Sequence, residues 1–414
     1  MKLSRRSWLS GAGALGAAVS LPLRAQQKPV RIGLSMAQTG ALAGAGKASL
    51  VALRMWADDV NGRGGLLGRK VELVVYDDQS SASTTPGIYT KLVDVDKVDL
   101  LIAPYGTVPT APIMPLVKQR ELLLLGNFAF DVNRTVKHDM WFNNAPWTDS
   151  STFSGGFLKI GQKLGAKTIA FLAADQEFAQ NLANGAKALA RQFQLNIVYE
   201  QNYPPTTVDF SSMIRAIRAV RPDIVYVMSY PNDSVAIVRS VNEIGVGPGV
   251  QLFGGGMVGL QFTSIMESLG SSLNGIVNYN TYVPGMNYPG IEAYFARYSQ
   301  RALEAKVDPL GYYLTPFSYA AGQVLEQAIG ATKTLDHKRL AEYLRKNEMQ
   351  TVVGKVRYGA EGEWASARLV YVQFRNVVDK NIEQFKQRDR QIVLYPDSFK
   401  TGEIVAPFEK ARGG

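Results

Sequence analysis

Catalytic chemistry would have to come from very few residues of this chain. Its 414 residues include two histidines, His138 and His337, and no cysteine. Without thiols there are no disulfides, no thiolate catalysis and no Cys-ligated metals. The histidines are far apart in sequence and neither stands in a metal-ligand pattern, so we interpret both as surface or loop residues. The sequence predicts no metal site.

Other motifs that carry reactions do not support an enzyme either. No G-x-S-x-G nucleophile elbow occurs, and adjacent carboxylates such as Asp77 and Asp78 are typical of turns and caps. Gly11, Gly13 and Gly16 match G-x-G-x-x-G, but no strand precedes them, so the match predicts no dinucleotide site. We therefore expect a protein that is not an enzyme and has no cofactor.

The first 25 residues have the anatomy of an export signal. Lys2, Arg5 and Arg6 precede an apolar Gly/Ala/Leu run over residues 11–21, and the small residue Ala25 follows. The order S-R-R-S-W-L resembles the twin-arginine consensus. The run is too short to span about 30 Å of hydrocarbon. We expect cleavage near Ala25, a periplasmic mature protein and no lipid anchor, because no cysteine follows.

Charge and composition bound the class of the mature chain. Removing residues 1–25 removes four cations and no acid, so the formal net charge falls from +10 to +6. The 46% hydrophobic fraction suffices for packed cores, and the remaining length suggests two domains. No dense Lys/Arg run occurs, which argues against nucleic acid as a partner.

Strand-like and helix-like patterns alternate along the chain, which is typical of βαβ units and predicts an α/β fold of two doubly wound lobes. Predicted strands cover residues 30–34, 71–76, 100–103 and 122–125, then 168–172, 197–200, 224–228 and 251–253. Predicted helices cover residues 47–61, 182–193, 211–220 and 234–244, and further elements follow at 275–282, 291–303, 317–329, 339–344 and 352–358. Ligands of such sheets lie at the carboxyl ends of the strands, so residues that follow strands are the first site candidates.

The chain also carries a series of short motifs. They are IGLSMAQTG (32–40), NGRGGLLGRK (61–70), YDD (76–78), FSSMIRAI (210–217), PDIVY (222–226) and VGKVRYG (353–359) with Gly362. In their order and spacing they resemble the periplasmic solute-binding proteins of the leucine/isoleucine/valine-binding family, which serve ABC importers. The likeness covers nearly all of the mature chain.

The resemblance implies a type I periplasmic binding fold, in which two α/β lobes joined by a three-crossover hinge close on a small solute. It places the first lobe at residues 26–146 and 278–357, and the second at residues 147–277 and 358–414. It implies a monomer that binds a small-molecule carboxylate and delivers it to an ABC permease in the inner membrane. A ligand-sensing module of the same fold, docking on a receptor or kinase, is an alternative.

In this family the first lobe holds the ligand carboxylate with two loops, which correspond here to residues 104–110 and 126–130. The implied site residues of these loops are Tyr105, Gly106, Thr107, Phe128 and Ala129. A Gly/Thr loop that opens a helix presents N–H groups and a hydroxyl to an anion, although an ordinary strand-to-helix turn is the alternative. The second loop departs from the family, because it has phenylalanines where small or hydroxyl residues are common.

The second lobe and the first crossover supply the rest of the implied site. Phe178 and Tyr230 align with aromatic wall residues, which suit a planar or apolar ligand; burial in a core is the alternative. Trp147, at the first crossover, either lines the cleft or braces the hinge. Gly256 and Met257 belong to the glycine-rich loop that completes the site.

One departure from the family bears on the ligand. Amino-acid binders usually carry an acidic residue where this chain has Gly256, and a buried ammonium that lacks its charge partner is strongly unfavourable. Ala45 likewise replaces a common tyrosine. We therefore expect an aromatic or other hydrophobic carboxylate. The alternative is a branched-chain or other hydrophobic amino acid, whose ammonium would meet Asp149, Asp175 or Glu177.

Overall fold

The computed structural model describes residues 28–413, which form an α/β protein with two large sheets. The predicted export signal lies outside the described residues. The first sheet has five parallel strands in the order β2-β1-β3-β4-β5. Their bounds are β1 Val30–Ser35, β2 Val71–Tyr76, β3 Leu100–Tyr105, β4 Leu124–Asn127 and β5 Trp141–Asn143. Every residue of β3 and β4 is buried, as expected for parallel strands covered on both faces.

The second sheet has seven strands in the order β14-β13-β10-β9-β8-β6-β7. Their bounds are β6 Thr168–Ala174, β7 Asn196–Tyr203, β8 Ile224–Ser229, β9 Leu252–Met257, β10 Val277–Asn280, β13 Val370–Phe374 and β14 Gln391–Tyr395. Strands β6 to β10 pair in parallel, whereas β13 and β14 are antiparallel additions from the end of the chain. Our sequence patterns do not predict these last two strands.

Helices accompany both sheets. In chain order they are α1 Ala43–Gly62, α2 Thr85–Asp94, α3 Thr107–Thr110, α4 Met114–Gln119, α5 Asn133–Val136, α6 Ser150–Lys163, α7 Glu177–Gln192, α8 Ser211–Val220, α9 Pro231–Ile244, α10 Thr263–Leu269, α11 Ile291–Ala305, α12 Thr315–Thr332, α13 His337–Lys346 and α14 Phe408–Arg412. Short 3-10 turns lie at Ala111–Ile113, Gly270–Leu273 and Ile382–Lys386. The prediction for α8 is confirmed at both ends. Within residues 28–413, none of these helices combines the length and apolar character of a membrane span.

Helices α11 to α13 return to the first lobe after β10. The Ser49 hydroxyl of α1 lies 2.7 Å from that of Ser318 on α12. The indole of Trp56 lies against Gly322, where an added Cβ would come within 2.1 Å of the ring, so this packing requires glycine. Residues 352–358, predicted as one strand, instead contribute to a hairpin of β11 Met349–Thr351 and β12 Gly354–Val356.

Within residues 28–413 the chain crosses between the two large sheets three times, at residues 144–149, 281–290 and 357–369. The second crossing starts slightly later than residue 278, where the resemblance places the lobe boundary. Strand β10 pairs along its whole length with β13 and therefore stays in the second sheet.

Arg368 contacts all three crossings or the segments beside them. Its backbone N–H donates to the Pro146 carbonyl in the first crossing at 2.9 Å. Its guanidinium lies over the Tyr288 ring of the second crossing, 5.5 Å from the centroid. The same guanidinium donates to the carbonyls of Val353 and Lys355, just before the third crossing, at 2.8 Å each. The backbone and side chain of one residue therefore tie the hinge segments together.

Candidate ligand-binding site

A small cavity lies between the two lobes, near the carboxyl ends of their parallel strands. Seven of the ten predicted site residues line it: Tyr105, Gly106, Thr107, Phe128, Trp147, Phe178 and Tyr230. The other lining residues are Leu42, Val108, Phe153, Val258, Tyr279 and Tyr313. The space open to the centre of a water molecule is about 30 Å³, which holds about two waters. The two lobes are thus closed around this aromatic cavity.

One corner of the cavity offers hydrogen-bond donors from the loop after β3. Gly106 has a φ of +92°, which favours glycine, and it turns the chain from β3 into α3. The Thr107 hydroxyl accepts a hydrogen bond from the Phe130 N–H at 3.0 Å, which leaves its own proton for another acceptor. The N–H groups of Thr107 and Val108 belong to the first turn of α3 and have no intrahelical acceptor. Together these groups suit a carboxylate oxygen.

Aromatic rings form most of the remaining wall. Phe128 packs on Trp147 with ring centroids 4.9 Å apart, and Phe178 meets Tyr230 edge-on at 6.1 Å. Between the lobes, Phe130 meets Phe178 at 5.5 Å. For Phe178 and Tyr230 we considered two alternatives, burial in a core and a place in the cavity wall. Both apply, because these rings pack on each other and also border the cavity.

Three tyrosines add neutral hydroxyl groups. The hydroxyls of Tyr279 and Tyr313 lie 3.1 Å apart, and the Tyr105 ring stands edge-on to that of Tyr313 at 6.3 Å. Burial raises the pKa of all three well above its ordinary value, so they stay protonated. Sequence reasoning misses Tyr279 and Tyr313. Tyr279 lies inside the predicted strand at residues 275–282, whereas our rule selects residues that follow strands. No local pattern distinguishes Tyr313 in the loop before α12.

Three predicted site residues do not line the cavity. Ala129 is fully buried in the first lobe. Gly256 and Met257 belong to β9, which runs four residues beyond the predicted strand end at 253. A Cβ added to Gly256 would meet Leu182 of α7 at 2.8 Å, so this position faces the helix layer. The loop after β9 starts with Val258, and that residue reaches the cavity.

Charge is segregated within the cleft. Among the described residues, those that line the aromatic cavity carry no carboxylate, ammonium, guanidinium or imidazole group. A separate pocket of about 830 Å³, which we call the acidic pocket, lies between the same lobes. Its charged residues are Asp131, Arg134, Lys137, Asp149, Glu177, Glu361 and Glu363. Asp175, the third carboxylate considered for an ammonium group, lies exposed outside this lining.

Asp149 and Glu363 are two of the four carboxylates of the acidic pocket that already have partners; the other two, Asp131 and Glu361, form ion pairs. Asp149 caps α6 by accepting from the Thr152 N–H at 2.8 Å. Although burial opposes its charge, its hydrogen bonds hold the pKa of Asp149 below the ordinary value. Glu363 accepts from Trp141 Nε1 at 3.0 Å and from Asn143 Nδ2 at 2.6 Å. Burial outweighs these bonds and raises the pKa of Glu363 to about 8.

The two histidines support the fold. His138 lies in a loop, as predicted, but it is buried rather than at the surface, and its Nε2 lies 2.8 Å from the Leu122 carbonyl oxygen. His337 begins α13, and its Nδ1 accepts from the Leu123 N–H at 2.8 Å. Burial lowers the pKa of both rings. Across residues 28–413, no three His, Cys, Asp or Glu side chains are grouped so that they could hold a metal ion.

Comparison with known families decides the class of the molecule. A family model described as periplasmic binding protein matches residues 29–377. The chain belongs to this family. Periplasmic binding proteins are a solute-binding class, in keeping with two lobes closed around an internal cavity. The Leu/Ile/Val-binding protein of Citrobacter freundii is 24% identical over 368 residues, covering 88% of this chain and 94% of that protein.

Solved structures share the fold of this periplasmic binding protein. A solute-binding protein of an ABC transporter from R. palustris, in complex with benzoate, has a TM-score of 0.73 at 17% identity, covering 88% of this chain and 95% of that one. A branched-chain amino acid transporter substrate-binding protein from Streptococcus pneumoniae, in complex with isoleucine, has a TM-score of 0.73 at 18% identity, covering 89% and 100%. The type I periplasmic binding fold is confirmed.

Proposed function

We propose that this periplasmic binding protein is the solute-binding component of an ABC importer and that its ligand is an aromatic or other hydrophobic carboxylate. The observation that carries the ligand class is the uncharged aromatic cavity with its donor corner. The Thr107 hydroxyl and the adjacent N–H groups would bind the carboxylate. Phe178 and Tyr230 would pack against the ring.

The size of the cavity requires the lobes to move. Ligand pockets usually measure about 300–1,000 Å³, whereas this cavity has about 30 Å³. A ligand would therefore enter after the lobes separate about the three crossings, and binding would close them around it. The described residues of the cavity include no pair of nucleophile and general base, so we infer binding without catalysis.

The first 25 residues support the proposed location and partner. Cleavage near Ala25 would leave a monomer in the periplasm, where it would capture dilute solute and deliver it to an ABC permease in the inner membrane. The moderate mature charge and the internal cavity favour a small molecule over nucleic acid as partner.

A branched-chain or other hydrophobic amino acid is the second candidate ligand. The acidic pocket favours it, because Glu177 directly precedes Phe178 in sequence and would supply a charge partner if the ammonium group pointed that way. The relative from Streptococcus pneumoniae holds isoleucine in this fold. Against it, the lining of the aromatic cavity would bury an ammonium group without a counter-charge, which is costly.

A thermal-shift screen of the mature protein separates the two candidates. The probes are benzoate, phenylacetate, leucine and valine, because a ligand that binds only the native state raises the midpoint of unfolding. We expect stabilisation by at least one of the aromatic acids and none by leucine or valine. Stabilisation by an amino acid, with no response to either simple carboxylate, would replace the first candidate with the second.

A further inference from the structure

A second pocket lies beside the aromatic cavity, between the same two lobes. It measures about 460 Å³, against about 30 Å³ for the aromatic cavity. The start of α1 contributes its first-lobe side, the start of α10 contributes its second-lobe side, and the loop before α12 completes it. We call it the side pocket. The side pocket is therefore much larger than the aromatic cavity beside it.

Tyr313 separates the two spaces and lines both of them. Its ring packs edge-on against Phe128, a cavity residue, at 5.2 Å, and in a tilted arrangement against Phe262, a side-pocket residue, at 5.5 Å. It lies in a loop between helices, and its hydroxyl contacts that of Tyr279 at 3.1 Å. The cavity and the side pocket therefore meet at this one side chain.

The interior of the side pocket is largely apolar. Ala45 and Ala48 of α1 contribute only methyl groups to the lining, and both are nearly fully buried. Val307 and Leu314 add larger aliphatic side chains from the loop. Small residues on one side leave room for part of a ligand, and the aliphatic lining favours an apolar group there.

Charged groups of the side pocket are either engaged or at its mouth. The Asp308 carboxylate accepts from the Thr263 N–H at the start of α10 at 3.0 Å, so it is already hydrogen-bonded. Lys47, Glu267 and Lys306 are exposed and bring both signs of charge to the mouth. The side pocket would therefore select a ligand group by its shape and apolar surface, and not by its charge.

We propose that the side pocket is the distal part of the ligand site and that this protein takes elongated aromatic acids, in which an apolar arm extends from the ring opposite the carboxylate. The inference rests on the proposed function, because it keeps the carboxylate at Thr107 and the ring in the aromatic cavity. The arm passes Tyr313 and ends against Ala45 and Ala48.

Calorimetric titration of the mature protein with benzoate and 4-butylbenzoate tests whether an apolar arm adds affinity. Burial of each methylene is worth roughly fourfold in affinity, so we expect 4-butylbenzoate to bind at least about tenfold more tightly.

Two variants test whether the side pocket supplies this gain. Ser264→Phe fills the side pocket from an exposed position on α10, and Ala45→Leu fills it from α1. Both variants should lose the gain from the arm and keep benzoate affinity within about threefold. Ser271→Phe, at an exposed serine outside the lining, is the matched control.

The outcomes distinguish this inference from the function beneath it. Equal affinities for the two acids in the wild-type protein, or a gain that survives both filling variants, would overturn the side pocket as part of the site and leave the aromatic acid class intact. Binding of leucine with no binding of either benzoate would overturn the ligand class itself, and the elongated-acid inference with it.

Discussion

The aromatic cavity and the acidic pocket lie between the same two lobes, yet they differ completely in charge. Uncharged groups line the first, whereas five carboxylates and two cations line the second. The change occurs over very short stretches of chain: Trp147 and Asp149 are two positions apart, and Phe178 follows Glu177. The difference teaches that one cleft can offer two chemically distinct surfaces, so the charge of a ligand bears on which half of the cleft would accept it.

The variant with the largest expected effect removes the donor hydroxyl of the aromatic cavity. Thr107→Val should weaken binding of an aromatic acid by about 10- to 100-fold, because a hydrogen bond to a charged group is worth about 1.5–3 kcal/mol. Thr107→Ser keeps the hydroxyl and should restore affinity to within about threefold. Thr110→Val is the control, since the Thr110 hydroxyl donates to the Pro104 carbonyl and does not line the cavity. Titration calorimetry measures the affinities. An unchanged affinity of Thr107→Val for the aromatic acid would show that the ligand carboxylate does not bind at this corner.

The aromatic wall should show the next largest effect. Tyr230→Ala should lower the affinity for an aromatic acid by more than about tenfold, which is about 1.4 kcal/mol, since it removes a ring that packs against Phe178. Tyr230→Phe should stay within about threefold, because the Tyr230 hydroxyl has no hydrogen-bond partner among the described residues. Equal affinities of the wild-type protein and the alanine variant in the same titration would refute this role of the ring.

In the acidic pocket, the raised pKa of Glu363 predicts that this residue makes a pH-dependent contribution to the stability of the folded protein. Its pKa of about 8 in the folded protein exceeds the ordinary value of 4.5, so the folded state holds this proton more tightly than the unfolded chain does. Stability from this group is therefore greatest below pH 4.5 and is lost as the pH rises towards 8. The free energy of unfolding of the wild-type protein, relative to Glu363→Gln, should fall by more than about 1 kcal/mol between pH 5 and pH 8. Chemical denaturation at several pH values measures it, and a constant difference would contradict the assignment.

The smallest expected effect tests whether the two halves of the cleft act separately. Glu177→Gln should change the affinity for benzoate by less than about twofold, because the carboxyl lies at an exposed position outside the aromatic cavity. If the ligand is an amino acid, the same variant should weaken leucine binding by about tenfold, because the ammonium loses its counter-charge. Parallel titrations with both probes show which half of the cleft the ligand uses.

Much of the fold was predictable, because hydrophobic periodicity is a local signal. The predicted strands at residues 30–34 and 71–76 and the predicted helix at residues 211–220 differ from the structure by at most one residue at an end. The antiparallel strands β13 and β14 escaped prediction, since they follow the helices that return to the first lobe and do not continue the alternation of strands and helices.

The candidate site was predictable where it comes just after the end of a predicted strand, as at Tyr105 after residues 100–103 and Tyr230 after residues 224–228. It was not predictable where glycines occupy a strand interior. Gly254 and Gly255 have φ values of +123° and +98°, conformations typical of loops, and yet they lie within β9. They fit there because the Val277 carbonyl and the Tyr226 ring approach too closely for any Cβ. Such long-range contacts are invisible in a local pattern, so the predicted loop began too early.

Arg368 has a consequence for how the molecule signals that it is loaded. Its guanidinium and backbone hold the three connections in one cluster, so twisting any one of them disturbs the other two. The two lobes would therefore rotate relative to each other about a single axis, and the three connections would not bend independently. The angle between the two lobes would then be the one variable that changes when a ligand binds. A membrane partner that contacts both lobes would recognise that angle, whatever the chemistry of the ligand.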